Sequence, residues 1–157
     1  MNVAFRQTTI GTVGLMEDAG RIKLLVFWYD LMPHDIVQHE TPVLTEAFRQ
    51  LNAYLAGELR VFSLPLAPSG TPFQLRVWKI LEKIPYGQTL SYGEVAGRAG
   101  NPRSARAVGM ANNRNPIPIF IPCHRVIGAD GKLVGYGGGM EMKAKLLAIE
   151  GRGEISE

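Results

Sequence analysis

Length, composition and charge set the first limits on this protein. The chain has 157 residues, 46% hydrophobic and 20% charged, enough for one substantial core or two smaller ones in a globular protein. Its apolar runs fall short of the ~20 residues that span a bilayer, and the amino terminus lacks the pattern of an export signal. The single cysteine excludes an internal disulfide and fits a reducing compartment. We therefore predict a cytoplasmic location and no membrane partner.

Basic charge is concentrated in the second half of the chain. Residues 1–70 carry 5 basic and 7 acidic side chains, whereas residues 71–157 carry 12 basic and 7 acidic ones. The net charge therefore changes from −2 to +5 between the halves. A solvated basic surface explains this distribution, and so does attraction to nucleic acid, and the charge alone favours neither.

The first half reads as strands followed by a helix. Val3–Asp30 is rich in β-forming residues, with Glu17–Gly20 as a turn between two runs. Thr41 and Pro42 have the residue types that begin a helix, and apolar residues then repeat at helical spacing. We predict a further short strand over Val61–Leu66.

The best linker follows this strand. Ala67–Gly70 has the sequence APSG, which is typical of a connecting segment. We place a domain boundary here, with one domain over residues 1–68 and a second over residues 69–157.

The second half reads as a series of short helices. One begins at Pro72, and the spacing of Ser91 and Glu94 predicts a capping box at the start of another. That helix ends at Gly100, and Asn101 leads directly into the next. Two helices joined by a tight turn predict a helix-turn-helix motif, whose second helix is the recognition helix.

The recognition helix combines arginines with small residues. Arg103 and Arg106 are three positions apart on one face, whereas Ala105 and Gly109 leave little side-chain bulk. Small residues allow close approach to a nucleic acid, with the arginines supplying charge. They equally allow tight packing between helices, and the helix alone does not distinguish the two.

The single cysteine follows an apolar segment, PIFIPCHRV. We expect three isoleucines to alternate on one face of an extended approach to Pro122: Ile117, Ile119 and Ile121. A lone cysteine is most often a small buried hydrophobe, but this one has a rigid proline before it and a histidine after it. His124 is a base near neutral pH, and Arg125 adds charge that favours a thiolate.

Direct proton transfer from Cys123 to His124 is geometrically difficult in an extended chain. Consecutive side chains of an extended chain point to opposite faces, so a bend or a bridging water must complete it. The imidazole also needs a carboxylate to fix its tautomer, and Glu150, at the end of the last predicted helix, is the candidate.

Other chemistries fit less well. His34 and His39 have a spacing that could hold a metal, but no third and fourth ligand is evident, so no metal is predicted. The glycines of YGGG lack the phosphate-loop pattern, so no cofactor is predicted. A cysteine hydrolase remains an alternative, although its base usually comes from a distant part of the chain.

Several motifs resemble one family. PCHRV, the preceding NPIPIFI and RSARAVGMANNRNP, together with IPYGQTLSYGEVA and GYGGG, resemble the O6-alkylguanine-DNA alkyltransferases over most of residues 71–151. The resemblance implies an α+β protein, with an amino-terminal ribonuclease H-like α/β domain and a carboxy-terminal domain of winged-helix, helix-turn-helix type. It implies a monomeric, prokaryotic-type DNA repair protein that binds double-stranded DNA through the minor groove.

The resemblance also implies an activity and its residues. Cys123 would take the alkyl group of a flipped O6-alkylguanine, or of O4-methylthymine, once and irreversibly. His124, a water and Glu150 would form the relay. Tyr92 would help to expel the nucleotide and donate to the base, and Arg106 would fill the vacated place in the base stack.

The remaining implied residues bind DNA or line the pocket. Asn115 would tie the recognition helix to the active-site segment. The other DNA-binding residues would be Arg103, Ala105 and Gly109, and Tyr92 would line the substrate pocket with Val126, Tyr136 and Gly137. Many relatives have serine where this chain has Gly137, but the contact uses a backbone amide that glycine keeps.

Two non-enzymatic alternatives stay open. A lesion-binding protein of a related class flags the damage and replaces the nucleophile with another residue, and a winged-helix regulator needs no reactive thiol. The reactivity of Cys123 discriminates both from an alkyltransferase.

Overall fold

The computed structural model describes residues 1–28, 37–131 and 139–151. The chain forms two compact units, Met1–Ser69 and Gly70–Glu157. Within the described ranges, no helix is long and apolar enough to cross a membrane.

A three-stranded antiparallel sheet forms most of the first unit. Strand β1 (Asn2–Thr8) pairs with β2 (Gly11–Asp18), which pairs with β3 (Arg21–Trp28). The predicted turn between the last two strands is confirmed and lies at 19–20. The sequence analysis missed the first turn, which divides the first β-rich run into two strands.

Helix α1 (Pro42–Leu55) packs against this sheet. Its predicted start is confirmed, but the Thr41 hydroxyl lies 3.4 Å from Glu17 Oε2 and does not cap the helix. Five side chains of the buried face have no exposed surface: Leu44, Ala47, Phe48, Leu51 and Tyr54.

The strand predicted over 61–66 is wrong. In the described part of the chain this segment pairs with the sheet only at Leu66, through an isolated bridge to Ile22. The amide of Ser63 donates instead to the Gln50 side chain of α1, at 2.9 Å. Pro65 has no amide hydrogen for a ladder. Competition from a side chain and a proline therefore prevents a regular strand.

In the described part of the second unit, four helices and one short strand pair are present. The helices are α2 (Pro72–Glu82), α3 (Tyr92–Arg98), α4 (Ala105–Asn113) and α5 (Met140–Ile149). The predicted capping box of α3 is present, and α2 has another, from Thr71 and Gln74. With the sheet of the first unit, these helices give the α+β class that the sequence predicts.

Helices α3 and α4 are joined by a tight turn, as predicted. Gly100 has a φ of +100°, in the left-handed region that favours glycine. The Asn101 side chain accepts from the Arg103 amide at 3.0 Å, and one 3-10 turn, Pro102–Ser104, leads into α4.

A parallel strand pair positions the cysteine segment. Strand β4 (Leu90–Ser91) pairs with β5 (Val126–Ile127). Because β4 leads directly into Tyr92 and β5 directly follows the turn that contains Cys123, this pairing brings the start of α3 to the cysteine.

Candidate active site

The chain bends at its single cysteine. Cys123–Arg125 form one 3-10 turn, in which the Arg125 amide donates to the Pro122 carbonyl at 3.0 Å. Cys123 is 3% exposed. Successive side chains of a 3-10 turn are about 120° apart rather than opposite, so this turn supplies a bend of the kind that a Cys-His relay requires.

The extended approach expected before this turn is wrong. The Ile121 amide donates to the Ile117 carbonyl at 2.9 Å, closing a turn in which Ile119 has a φ of +74°. A β-branched residue is strained in this region. The side chain of Asn115 holds the turn, because it donates to the Ile121 carbonyl at 2.7 Å and accepts from the Ile117 amide at 2.9 Å. The prolines in the segment have no amide hydrogen for a strand ladder.

Three polar side chains form a buried cluster beside Cys123. His124 Nε2 lies 2.7 Å from Glu150 Oε2, and Arg125 donates to both oxygens of Glu150 at 2.9 Å. All three residues are at most 6% exposed. A carboxyl group that accepts both prongs of a guanidinium is ionised. His124 Nε2 therefore carries the hydrogen, and Nδ1 is the nitrogen that can accept a proton.

Burial makes His124 neutral. It is the main influence on the pKa of His124 and lowers it below the usual value, whereas the hydrogen bond to Glu150 acts in the opposite direction. The charges of Arg125 and Lys143 lower this pKa further. At neutral pH the imidazole is therefore an unprotonated base. Arg125, which the sequence analysis assigned to a thiolate, binds Glu150.

The loop after α2 fixes the end of α5. The Gly87 amide donates to Glu150 Oε1 at 3.1 Å, and the Tyr86 hydroxyl donates to the Ile149 carbonyl at 3.1 Å. Gly87 has a φ of +79°, and a Cβ atom there would lie 3.2 Å from the Glu150 carbonyl oxygen. From the sequence, Pro85–Gly87 was predicted only as the end of a helix, so these contacts were not predicted.

Tyr92 and Lys143 lie close to each other. Burial raises the pKa of Tyr92 to about 12, with a smaller contribution from the charge of Cys123, so Tyr92 keeps its hydroxyl hydrogen at neutral pH. Lys143 Nζ lies 5.9 Å from the centroid of the Tyr92 ring. The sequence motifs did not predict a place for Lys143 at this site. Its only signal is its position three and four residues before Leu146 and Leu147, on the buried face of α5.

The two faces of α4 differ. The inner face is buried, and its members are Val108, Ala111 and Asn112. The Trp78 indole donates to the Ala111 carbonyl at 2.8 Å. On the outer side, Arg106 is exposed. Arg103 is also exposed, but it lies in the 3-10 turn Pro102–Ser104 before α4 and not on the helix as predicted, because the Asn101 side chain accepts from its amide. Among these buried residues only Ala111 is small, and the arginines are exposed on the outer side.

Half-buried positions lie between these faces. Ala105 and Gly109 are neither fully exposed nor buried, and a Cβ atom at Gly109 would lie 3.8 Å from the Tyr92 ring. The Asn112 side chain donates a hydrogen bond to the Cys123 carbonyl at 3.3 Å. Helix α4 is thus connected to the residues that surround the thiol.

The structure does not place every predicted site residue. Val126 lies in β5 with no exposed surface. Tyr136 and Gly137, predicted to line the substrate pocket, lie outside the described residues, as does His34. Of the four predicted catalytic residues, His124 and Glu150 are in contact, and Cys123 directly precedes His124 in the turn.

Two family models match the chain. One describes the DNA binding domain of 6-O-methylguanine DNA methyltransferase and matches residues 72–152. The other describes the ribonuclease-like domain of the same protein and matches residues 4–68. The two matches agree with the ribonuclease H-like and DNA-binding fold types that the sequence resemblance implied.

Individual proteins agree with these models. The methylated-DNA--protein-cysteine methyltransferase of Methanosarcina acetivorans is 49% identical over 96% of this chain and 99% of its own. The constitutive enzyme of Bacillus subtilis is 48% identical over 92% of each chain. The crystal structure of Mycobacterium tuberculosis OGT in complex with DNA superposes with a TM-score of 0.87 and 46% identity, over 96% of this chain and 93% of that one. The chain belongs to the family of methylated-DNA--protein-cysteine methyltransferases.

Proposed function

We propose that Cys123 removes the alkyl group from O6-alkylguanine in double-stranded DNA and keeps it permanently. This assignment rests on the buried pair of His124 and Glu150, whose Nε2 and Oε2 atoms lie 2.7 Å apart. His124 belongs to the turn that contains the single cysteine, and Glu150 lies beside that turn. A neutral imidazole fixed by a carboxylate is the base that a thiol nucleophile needs. The relatives are alkyltransferases, which favours transfer over a lesion flag or a regulator.

The transfer is a displacement at carbon. His124, through a bridging water, takes the thiol proton, and the Cys123 sulfur then forms a bond to the alkyl carbon as the bond from that carbon to O6 breaks. The electron pair goes to guanine, which Tyr92 stabilises by donating a hydrogen bond, and the proton held by His124 finally neutralises the base. The thioether has no second cysteine to pass the group to, so each molecule acts once.

The lesion must leave the base stack before it reaches Cys123. Flipping a nucleotide costs a few kcal/mol, and less for a poorly paired lesion. We assign this task to α4, which would enter the minor groove with Arg106 filling the gap and Arg103 contacting the backbone. In this scheme residues 69–157 bind DNA and perform the transfer. The proposed compartment is the prokaryotic cytoplasm, where Cys123 stays reduced.

The test is the mass of the intact protein after incubation with excess duplex that contains one O6-methylguanine. We expect a gain of one methyl group that saturates at one per molecule, and no gain with the same duplex unmodified. Selective binding of the damaged duplex without any gain in mass would contradict transfer and favour the flagging alternative.

Arg106→Ala is expected to slow transfer from duplex DNA by about tenfold to a hundredfold, because the flipped state loses ~1–3 kcal/mol of stabilisation. The same lesion in single-stranded DNA needs no flipping, so its rate should change little. Arg76→Ala removes an equal charge from the exposed face of α2 and is the matched control. Equal losses on single-stranded and duplex substrates would show that Arg106 supplies only general attraction to DNA.

A further inference from the structure

Helix α4 exposes a methionine on its outer side. Met110 is 54% exposed, more than any other large hydrophobic residue that the structure describes in the second unit. The next two, Met140 and Leu75, are 41% and 36% exposed. A single exposed apolar side chain is ordinary on the surface of a globular protein. The position of Met110, rather than its exposure alone, therefore requires an explanation.

Met110 lies between two arginines. Arg106 precedes it by four residues, and Arg114, the C-cap residue of α4, follows it by four. Residues four apart share one face of a helix, so these three side chains form a line, which we call the outer ridge. All three are exposed. Within the described ranges, no acidic side chain forms an ion pair with either guanidinium. The outer ridge therefore has positive charge at both ends and an apolar middle.

The charge of the outer ridge favours nucleic acid as its partner. A surface that binds another protein through apolar contacts is usually a larger apolar patch, whereas Met110 has a cation on each side. Residues 71–157 carry 12 basic and 7 acidic side chains, a net charge of +5 that attracts the phosphate backbone. The neighbours of Met110 are small, because Ala107 ends at its Cβ atom and Gly109 has no side chain. The helix can thus approach a groove closely, with Met110 as its most prominent apolar group.

We propose that Met110 packs against the floor of the minor groove beside the flipped nucleotide and makes transfer sensitive to the neighbouring base pair. The inference rests on the proposed function, from which it takes the entry of α4 into the minor groove. Four residues of helix rise by about 6 Å, and successive base pairs are about 3.4 Å apart. A side chain one turn beyond Arg106 therefore meets the first or second pair next to the gap. Methionine is among the apolar residues that proteins insert into this groove.

One chemical group distinguishes the neighbouring pairs at the floor of the groove. A G·C pair presents the exocyclic amine of guanine there, and an A·T pair has no such donor. The sulfur of methionine is only a weak acceptor. A methionine that covers the amine therefore removes its water without replacing the hydrogen bond, which is unfavourable. We expect Met110 to make transfer slower beside G·C pairs than beside pairs without the amine.

The test compares two duplexes that differ only in this amine. The two pairs on each side of one O6-methylguanine are either G·C or inosine·C, and inosine keeps the major-groove edge of guanine. Inosine pairs are weaker and speed flipping for every variant alike, so the measured quantity is the ratio of the two single-turnover transfer rates. We expect this ratio of inosine to guanine rates to fall about threefold to tenfold in Met110→Ala, because the cost of covering the amine disappears.

Two controls make the result specific to an apolar side chain on the outer ridge. Met110→Leu keeps a side chain of similar size and should keep the wild-type ratio. Leu75→Ala removes an exposed apolar side chain from α2 and should also leave the ratio unchanged. The same ratio in Met110→Ala and in the wild type would overturn the proposal, and so would an equal fall in Leu75→Ala. Met110 is exposed, so its variants are expected to fold, which thermal melting checks.

Failure of this inference and failure of the proposed function give different results. If the wild type takes a methyl group from both duplexes with the same ratio of rates as Met110→Ala, the function stands and the inference falls. If the wild type takes no methyl group from either duplex, the proposed function falls, and the inference falls with it.

Discussion

Cys123→Ser is expected to abolish alkyl transfer while the protein stays folded and keeps its affinity for lesion-containing duplex. A serine hydroxyl is not ionised at neutral pH, and His124 is a weak base in its buried site, so no competent nucleophile remains. The substitution changes the side chain by one atom in a buried turn, so the structure has little reason to rearrange. Intact mass, thermal melting and a binding titration on the same preparation measure the three properties.

The serine variant also separates the alternatives. A lesion-flagging protein or a winged-helix regulator loses nothing when its thiol is replaced. If the variant gained a methyl group from DNA, another residue would be the acceptor, and the role of Cys123 would be wrong.

Glu150→Gln is expected to cause the largest loss of stability among single substitutions at the site. Its carboxylate accepts from both Arg125 and His124 in the buried cluster. Without it the guanidinium is a buried charge lacking its counter-ion, which costs about 3–5 kcal/mol in the free energy of unfolding. For a chain of this length, that loss corresponds to a melting temperature lower by roughly 6–20 °C. Transfer should fail as well, because an amide does not fix the tautomer of His124.

Two further variants make this prediction specific. Glu141→Gln makes the same chemical change at an exposed position of α5 and should alter stability by no more than about 0.5 kcal/mol. Adding Arg125→Met to Glu150→Gln removes the uncompensated charge, so stability should partly return while transfer does not. A single Glu150→Gln variant as stable as the Glu141→Gln control would show that the cluster does not stabilise the fold.

Local sequence signals predicted the starts of α1, α2 and α3 and the end of α3. The proline at position 42, the capping box of Ser91 and Glu94, and the glycine at position 100 act over three or four residues, so a single sequence contains the whole interaction. The order of the helices around the Cys-His pair followed from these signals. The contact between His124 and Glu150 was also predicted, because an imidazole beside a nucleophile needs a carboxylate to fix its tautomer.

The errors occurred where a polar side chain competes with the backbone pairing of a strand. The strand expected over 61–66 fails because the Gln50 side chain of α1 takes the Ser63 amide. The extended approach to Pro122 fails because Asn115 closes a turn around Ile119. Neither competitor is visible in the local pattern of hydrophobic residues.

The partners of the charged side chains near the thiol were also not predictable from the local sequence. Adjacency in sequence suggested that Arg125 would favour a thiolate, whereas the structure directs its guanidinium to Glu150. Lys143, twenty residues further along the chain than Cys123, is buried on α5 with its ammonium group 5.9 Å from the Tyr92 ring centroid. Its inward position on α5 is readable from helical spacing, but its proximity to Tyr92 depends on the packing of separate segments.

The most direct test of the central claim follows the methyl group itself. A duplex whose O6-methylguanine carries an isotope-labelled methyl group is mixed with an equal amount of protein, and both products are analysed by nuclear magnetic resonance and peptide mass spectrometry. We predict that the label appears as S-methylcysteine at Cys123, one per molecule, and that the DNA contains restored guanine. Label that stays on the DNA, is released as methanol, or appears on another residue would contradict direct transfer to Cys123.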